Sequence, residues 1–195
     1  MTIRDRDAVP EERTAGLKES AVQPDSWTNH LRSPNEGDAI AMHRLVAETE
    51  VLDLNSTYTY LLMATDFAST SIVAEKDGDI CGLITGYHPP ARPEVLFVWQ
   101  VAVSTSARGT GLASAMLDGL VDRVRANRRG HPVTVEATVA PSNSASRAFF
   151  GAFARRHGVP LIEEPRFTAA HLAADQSHED EPTVRIGPIT TPLAD

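Results

Sequence analysis

The run from Val95 to Val103, Val-Leu-Phe-Val-Trp-Gln-Val-Ala-Val, is apolar at every position except Gln100. Continuous apolarity with β-branched and aromatic residues predicts a central strand buried on both faces. From Gly109 to Arg128 the period changes: Leu112, Met116, Leu117, Leu120, Val121 and Val124 share one helical face, with Asp118, Asp122 and Arg125 facing out. Strict alternation follows, with Val133, Val135, Ala137 and Val139 on one side of a strand and Thr134, Glu136 and Thr138 on the other. Upstream, two β-rich runs meet at Asp77-Gly78, the signature of a tight hairpin. Ahead of them, Ile40, Leu45 and Val46 mark a helix that Ser33 caps, with Pro34 in its first turn and Glu36 three residues on. A second short helix is predicted over residues 57–67.

Pro141 with Ser142 or Asn143 opens a further helix, which Gly158 closes. The remainder reads as a tail through Pro160, Pro165 and an acidic stretch, ending in a short closing strand at "VRIGPI". Helix, helix, hairpin, strand, helix, strand, helix is an α/β order with a mixed sheet. Residues 1–30 carry charges of both signs and few large apolar groups, so they read as a disordered arm ahead of one domain over 31–190.

Composition narrows the function by exclusion. With 42% apolar and 23% charged residues the chain falls outside the fibrous and membrane classes. No apolar window reaches the roughly 18 residues a membrane span needs, and "MTIRDRDAVPEERTAG" lacks a signal-peptide core, so a cytoplasmic location is expected. A net charge of −8 argues against a nucleic-acid partner. The seven histidines and the single cysteine, Cys81, show no ligand spacing, so no metal is expected, and Cys81 reads as a packed thiol.

The candidate chemistry lies where the central strand turns into the next helix, "VAVSTSARGTGLA". A helix start presents unpaired N–H groups at the positive end of its dipole, which makes an anion site. Gly109 and Gly111 permit a left-handed backbone and close approach, and Arg108 adds a charge-assisted contact, so a diphosphate is the natural guest. The turn lacks the P-loop lysine and the third glycine of a dinucleotide fingerprint. A plain strand–helix connection remains the alternative.

The same residues resemble motif A of the GNAT acetyltransferases, [RQ]-x-x-G-x-[GA], with Arg108, Gly111 and Ala113 in the defining positions. That resemblance implies a GNAT fold, a mixed and mostly antiparallel sheet flanked by helices. It implies that Arg108, Gly109, Thr110, Gly111, Leu112 and Ala113 grip the pyrophosphate of acetyl-CoA. It further implies that the backbone of Val101, Ala102 and Val103 pairs with the pantetheine arm, which Asn143 also contacts. Four more stretches, "LDLNSTYTYLL", "FVWQVAV", "PSNSAS" and "HEDE…RIGP", are similar to the diaminobutyrate acetyltransferases within GNAT. The resemblance runs from about Leu31 to Pro188. It implies a homodimer that moves acetyl from acetyl-CoA to the γ-amine of L-2,4-diaminobutyrate, in the making of the compatible solute ectoine. A GNAT enzyme for another small amine, or a silent acyl-CoA-binding module, are the alternatives.

Such an acceptor carries two ammonium groups and one carboxylate, so its pocket needs carboxylates, aromatic faces and hydrogen-bond donors. In the matching stretches Asp53 and Glu179 are candidate amine partners, Tyr58 and Trp99 candidate walls, and Asn55 and Gln100 candidate orienting groups. Glu136 is a third carboxylate. The proton of the acceptor ammonium must be removed, and Glu136 or Glu179, or Asp53 through water, is the candidate base. Two positions depart from the family pattern. Phe150 stands where many GNAT enzymes carry a tyrosine general acid, and Ala137 where a threonine is expected.

Overall fold

Asp77 and Gly78 turn the chain back on itself in the computed structural model, which describes residues 27–49, 52–172 and 179–190. Both residues are left-handed, with φ of 56° and 89°, as a two-residue hairpin between β2 (Ile72–Lys76) and β3 (Asp79–Tyr87) requires. The strands β1 (Leu31–Arg32), β4 (Val95–Val103), β5 (Val133–Thr138), β6 (Leu161–Phe167) and β7 (Glu181–Ile189) complete one open sheet, in the order β1-β2-β3-β4-β5-β7-β6. Every neighbouring pair is antiparallel except β4 and β5. The sheet is therefore mixed and mostly antiparallel, as the resemblance implied.

Helices cover both faces. On one, α3 (Leu112–Asn127) and α4 (Ser144–His157) bury Leu112, Met116, Leu120, Val124 and Phe153 against Ile84, Leu96, Val98, Val135 and Ile186. On the other, α1 (Ala39–Ala47) and α2 (Thr57–Ala64) pack Met42, Leu45, Val46, Tyr60 and Met63 over Val73, Leu83 and Ala102. A single turn, α5 (Ala169–Leu172), follows β6. Burying a side chain of this size contributes about 1.5–3 kcal/mol, so each face has enough apolar contact to hold its helices in place.

Two irregularities shape the centre of the sheet. β4 and β5 pair only from Val95–Phe97 to Thr134–Glu136, and beyond that point they part. On its other edge β4 carries a bulge: Thr85 pairs with Gln100 and Gly86 with Val98, so Trp99 is the extra residue. Gly86 is needed there, since a Cβ would lie 2.8 Å from the carbonyl oxygen of Phe97 and 2.9 Å from that of Thr70.

Several expectations change. The first helix is entered through Asn35, whose side chain accepts from the Gly37 N–H at 2.9 Å, while Asp38 accepts from the Asn35 N–H at 2.8 Å. Ser33 instead takes a hydrogen bond from Arg123 at 2.8 Å. The buried face of the helix is Ala39, Met42, Leu45 and Val46, so Leu45 and Val46 lie in the core as expected while Ile40 is 65% exposed. Arg125 does not face out: it is buried and donates to the Thr190 carbonyl at 2.5 Å. Asp118 ties α3 to α4 through Arg156 and His157, each 3.0 Å away. β4 is not buried on both faces throughout, because the bulge brings Trp99 to 40% exposure. The supposed tail forms β6, with Pro165 on an edge strand where its missing N–H costs no ladder bond. "VRIGPI" belongs to a nine-residue strand inside the sheet, between β5 and β6. Most of the expected arm, residues 1–26, lies outside the described residues, but its last four residues are folded. Trp27 is 5% exposed within the α3–α4 core, and His30 is held at 2.9 Å from the Glu75 carbonyl.

Candidate active site

The end of β4 and the starts of α3 and α4 enclose a cavity of about 530 Å³. Val101, Ala102 and Val103 line it from the strand, Arg108, Gly109, Gly111, Leu112, Ala113 and Ser114 from the turn, and Asn143, Ser146 and Phe149 from α4. Thr49 and Leu52 close it from the α1–α2 connection. Gly109 and Gly111 have φ of 76° and 83°, and an added Cβ would meet nothing within 4 Å at either. Both therefore serve the left-handed turn and leave open space above it. Gly111 is the N-cap of α3 and offers no side chain, so no side-chain cap shields the first-turn N–H groups. Thr110 is absent from the lining; its hydroxyl donates to the Ala107 carbonyl at 2.7 Å and holds the turn closed. Asn143 caps α4 by accepting from the Ser146 N–H at 3.0 Å, which leaves its amide NH2 for a ligand.

Of the expected acceptor residues, Trp99 and Gln100 lie at the β4 bulge, and Gln100 holds the Asp53 loop there. Gln100 is buried and committed at both ends: its Oε1 accepts from the Tyr60 hydroxyl at 3.1 Å, and its Nε2 donates to the Asp53 carbonyl at 2.9 Å. It thus pins the Asp53 loop to the centre of the sheet. The Asp53 side chain itself is exposed, and Asn55 supports the same carbonyl at 3.4 Å. Tyr58 and Trp99 expose 67% and 40% of their surface, so neither is packed in the core, and neither lines the large cavity. Glu179 accepts from the Ser142 N–H at 3.2 Å, which places it at the approach to α4, beside Asn143.

Glu136 lies elsewhere. It is 1% exposed, does not line the large cavity, and has both oxygens 2.7 Å from Arg92 Nη1. Arg185 and Arg166 approach to 3.1 and 3.8 Å. A carboxylate so occupied has no lone pair directed at an acceptor amine. Its burial in an alternating strand signals a need for cationic partners, but nothing local identifies Arg92, Arg166 and Arg185. Tyr60, Ser146 and Phe149 are likewise visible only in the fold.

Phe150 is 3% exposed in the α3–α4 core, so the side chain at that position does not reach the cavity, and its neighbour Phe149 does. Ala137 is buried in the same core. Cys81 is half-buried, donates to the Ala74 carbonyl at 3.5 Å, and has its thiol pushed up by burial, which disfavours the nucleophilic thiolate. His178 lies outside the described residues. Among the described residues no cluster of His, Cys, Asp and Glu is arranged to hold a metal ion, and no helix is long and apolar enough to cross a membrane.

Comparison with known proteins identifies the family. Residues 37–154 match the model of the acetyltransferase (GNAT) family. The L-2,4-diaminobutyric acid acetyltransferase of Streptomyces coelicolor is 46% identical over 80% of this chain and 91% of its own. That of Bordetella parapertussis is 45% identical over 89% and 92%. Among solved structures, the diaminobutyrate acetyltransferase EctA from Paenibacillus lautus, in complex with its substrate L-2,4-diaminobutyric acid and coenzyme A, has a TM-score of 0.75 at 38% identity. The alignment covers 84% of this chain and 97% of that one. Ard1 from Thermoplasma volcanium, at 18% identity and a TM-score of 0.61, shares the fold. The uncapped α3 start, the parted strands and these relatives lead to one conclusion: the chain belongs to the GNAT acetyltransferase family, within its diaminobutyrate acetyltransferase group.

Proposed function

We propose that the protein transfers the acetyl group of acetyl-CoA to the γ-amine of L-2,4-diaminobutyrate, as a cytoplasmic homodimer serving ectoine synthesis. The observation that carries this reading is the cavity joining the uncapped α3 start to the open edge of β4, in a chain 46% identical to a diaminobutyric acid acetyltransferase. Acetyl-CoA supplies an activated thioester. The N–H groups around Gly109 and Gly111, with Arg108, hold its diphosphate. The β4 backbone from Val101 to Val103, paired with β3 on one edge and free on the edge towards β5, pairs there with the amides of the pantetheine arm, and Asn143 steadies the same arm.

At the bulge, a backbone N–H freed from the β4–β5 ladder is available to polarise the thioester carbonyl. The acceptor amine arrives as an ammonium that titrates at about 10.4, so freeing it at pH 7 costs about 4.6 kcal/mol. Asp53 and Glu179, the two candidate carboxylates outside the arginine cluster, bind the ammonium groups and take the proton, directly or through water. The leaving thiol, at about pKa 8.5, departs without the tyrosine that Phe150 replaces.

Release of free thiol from acetyl-CoA, measured with diaminobutyrate, lysine, ornithine and polyamines, tests the proposal, with mass spectrometry to locate the acetyl group. Diaminobutyrate acetylated at the γ-nitrogen is expected. Preference for lysine overturns the substrate assignment, and no turnover with any amine overturns the enzymatic one.

A further inference from the structure

Behind Glu136 lies a second cavity, of about 220 Å³, lined by Arg92, Arg166 and Arg185 together with Glu164 and Thr183. Three guanidinium groups face two carboxylates, so the site carries an excess of one positive charge. Arg92 alone satisfies the buried Glu136 with hydrogen bonds of 2.7 Å to both oxygens. Arg185 comes within 3.1 Å and Arg166 within 3.8 Å, but neither makes a hydrogen bond to a described residue. Arg166 lies instead over the rings of Phe97 and Phe167, 4.9 Å from each centroid. Each guanidinium has five N–H donors in a planar fork matched to a carboxylate. Two such forks are thus braced by Glu136 and the aromatic rings, and among the described residues their remaining donors make no hydrogen bond.

Position identifies the guest. Val135 and Ala137 pack beneath α3 and α4, so Glu136, between them on β5, faces the opposite side of the sheet. That is the side on which Tyr60 and Gln100 hold the Asp53 loop. Glu136 pairs with Phe97, two residues before the bulge at Trp99. At a rise of roughly 3.3 Å per residue the arginine cluster lies about 7 Å along β4 from the bulge. In diaminobutyrate, four bonds separate the carboxylate carbon from the γ-nitrogen, a span of about 5 Å. An acceptor with its amine at the bulge therefore brings its carboxylate to the cluster.

We propose that this second cavity seats the α-carboxylate of the acceptor, with Arg166 and Arg185 as donors and Arg92 and Glu136 as positioning residues, so that the enzyme selects an amino acid over a diamine lacking the acid group. The inference rests on the acceptor reading above. Its test compares diaminobutyrate with 1,3-diaminopropane, as substrate or competitive inhibitor, on the full-length wild type and on Arg166→Gln, Arg166→Lys and Arg185→Gln, with thermal melts of each.

For Arg166→Gln, KM for diaminobutyrate should rise tenfold or more, as for loss of a charge-assisted hydrogen bond. Its kcat should stay within about threefold, constants for 1,3-diaminopropane should not change, and lysine should restore part of the loss. Equal loss with both amines, or an unchanged KM for diaminobutyrate, overturns the proposal. An altered inhibition by inorganic phosphate with diaminobutyrate unaffected would also overturn it, marking a site for free anions. If Arg185→Gln does not fold, Arg166→Gln, at the bulge of the edge strand, decides alone. If the wild type acetylates a different amino acid, the preceding section fails, and the same comparison of that amino acid with its decarboxylated amine still decides this one.

Discussion

Asp38 carries several interactions for one side chain. It accepts from the Asn35 N–H and receives Arg32 through both oxygens, at 2.6 and 2.8 Å, while Arg32 also reaches Glu75 of β2. The hydrogen bond from Arg32 holds its carboxyl below the usual carboxylate range, outweighing the opposing effect of burial. A depressed folded-state value means that the stabilisation is complete above the unfolded value of about 4 and is lost as pH falls through the folded one. Urea melts from pH 7 to pH 3 should show the wild type losing stability below about pH 4. Asp38→Asn should be weaker by about 1–2 kcal/mol at pH 7 and correspondingly flatter in acid. The pairing of Asn35 with Asp38 was present in the sequence, but Ser33 and Glu36 offer the same spacing, and only the start of α1 decides between them. Gln100 and Glu136 were conspicuous as polar groups in strands. Their roles were not legible, because Tyr60 lies 40 residues from Gln100 and Arg92 lies 44 from Glu136.

At the scale of elements, β4, α3, β5 and α4 follow from local patterns, since each has a strong period and its own start or stop signal. The hairpin at Asp77-Gly78 is equally local. β1, only two residues long, has no period to read, and β6 exposes most of its side chains and contains a proline. Both exist because neighbouring strands accept them as edges. Trp27 belongs with these tertiary effects. A lone tryptophan after a charged arm looks incidental, yet it packs into the α3–α4 core with Lys76 placed 5.9 Å from its ring centroid. Trp27→Ala should cost about 3–5 kcal/mol, lowering the melting temperature by roughly 10 °C. The kcat of the folded fraction should stay close to that of the wild type, since Trp27 lines neither cavity.

Across the whole molecule, the large cavity opens where β4 and β5 part and is lined from α3, α4 and the α1–α2 connection, while the arginine cluster lies beside the paired segment of β4 and β5. The turn that lines the large cavity was legible, because a strand, a glycine turn and a helix start are consecutive in the chain. The acceptor side was not, because its candidate residues come from the α1–α2 connection, β4, the β3–β4 loop, β6 and β7.

The short ladder between β4 and β5 has a dynamic consequence. Among the described residues, the backbone hydrogen bonds between β4 and β5 are confined to Val95–Phe97 and Thr134–Glu136, with one further bond from the Thr134 N–H to the Glu94 carbonyl. Native-state amide exchange should therefore find this seam opening at lower free energy than the β2–β3 hairpin. Coenzyme A, if it binds along the free edge of β4 as proposed, would act as a missing rung. Its addition should slow exchange at Val101–Val103 about tenfold or more while leaving the hairpin amides unchanged. The same gap that admits the donor would then make the unliganded sheet the more pliable of the two states.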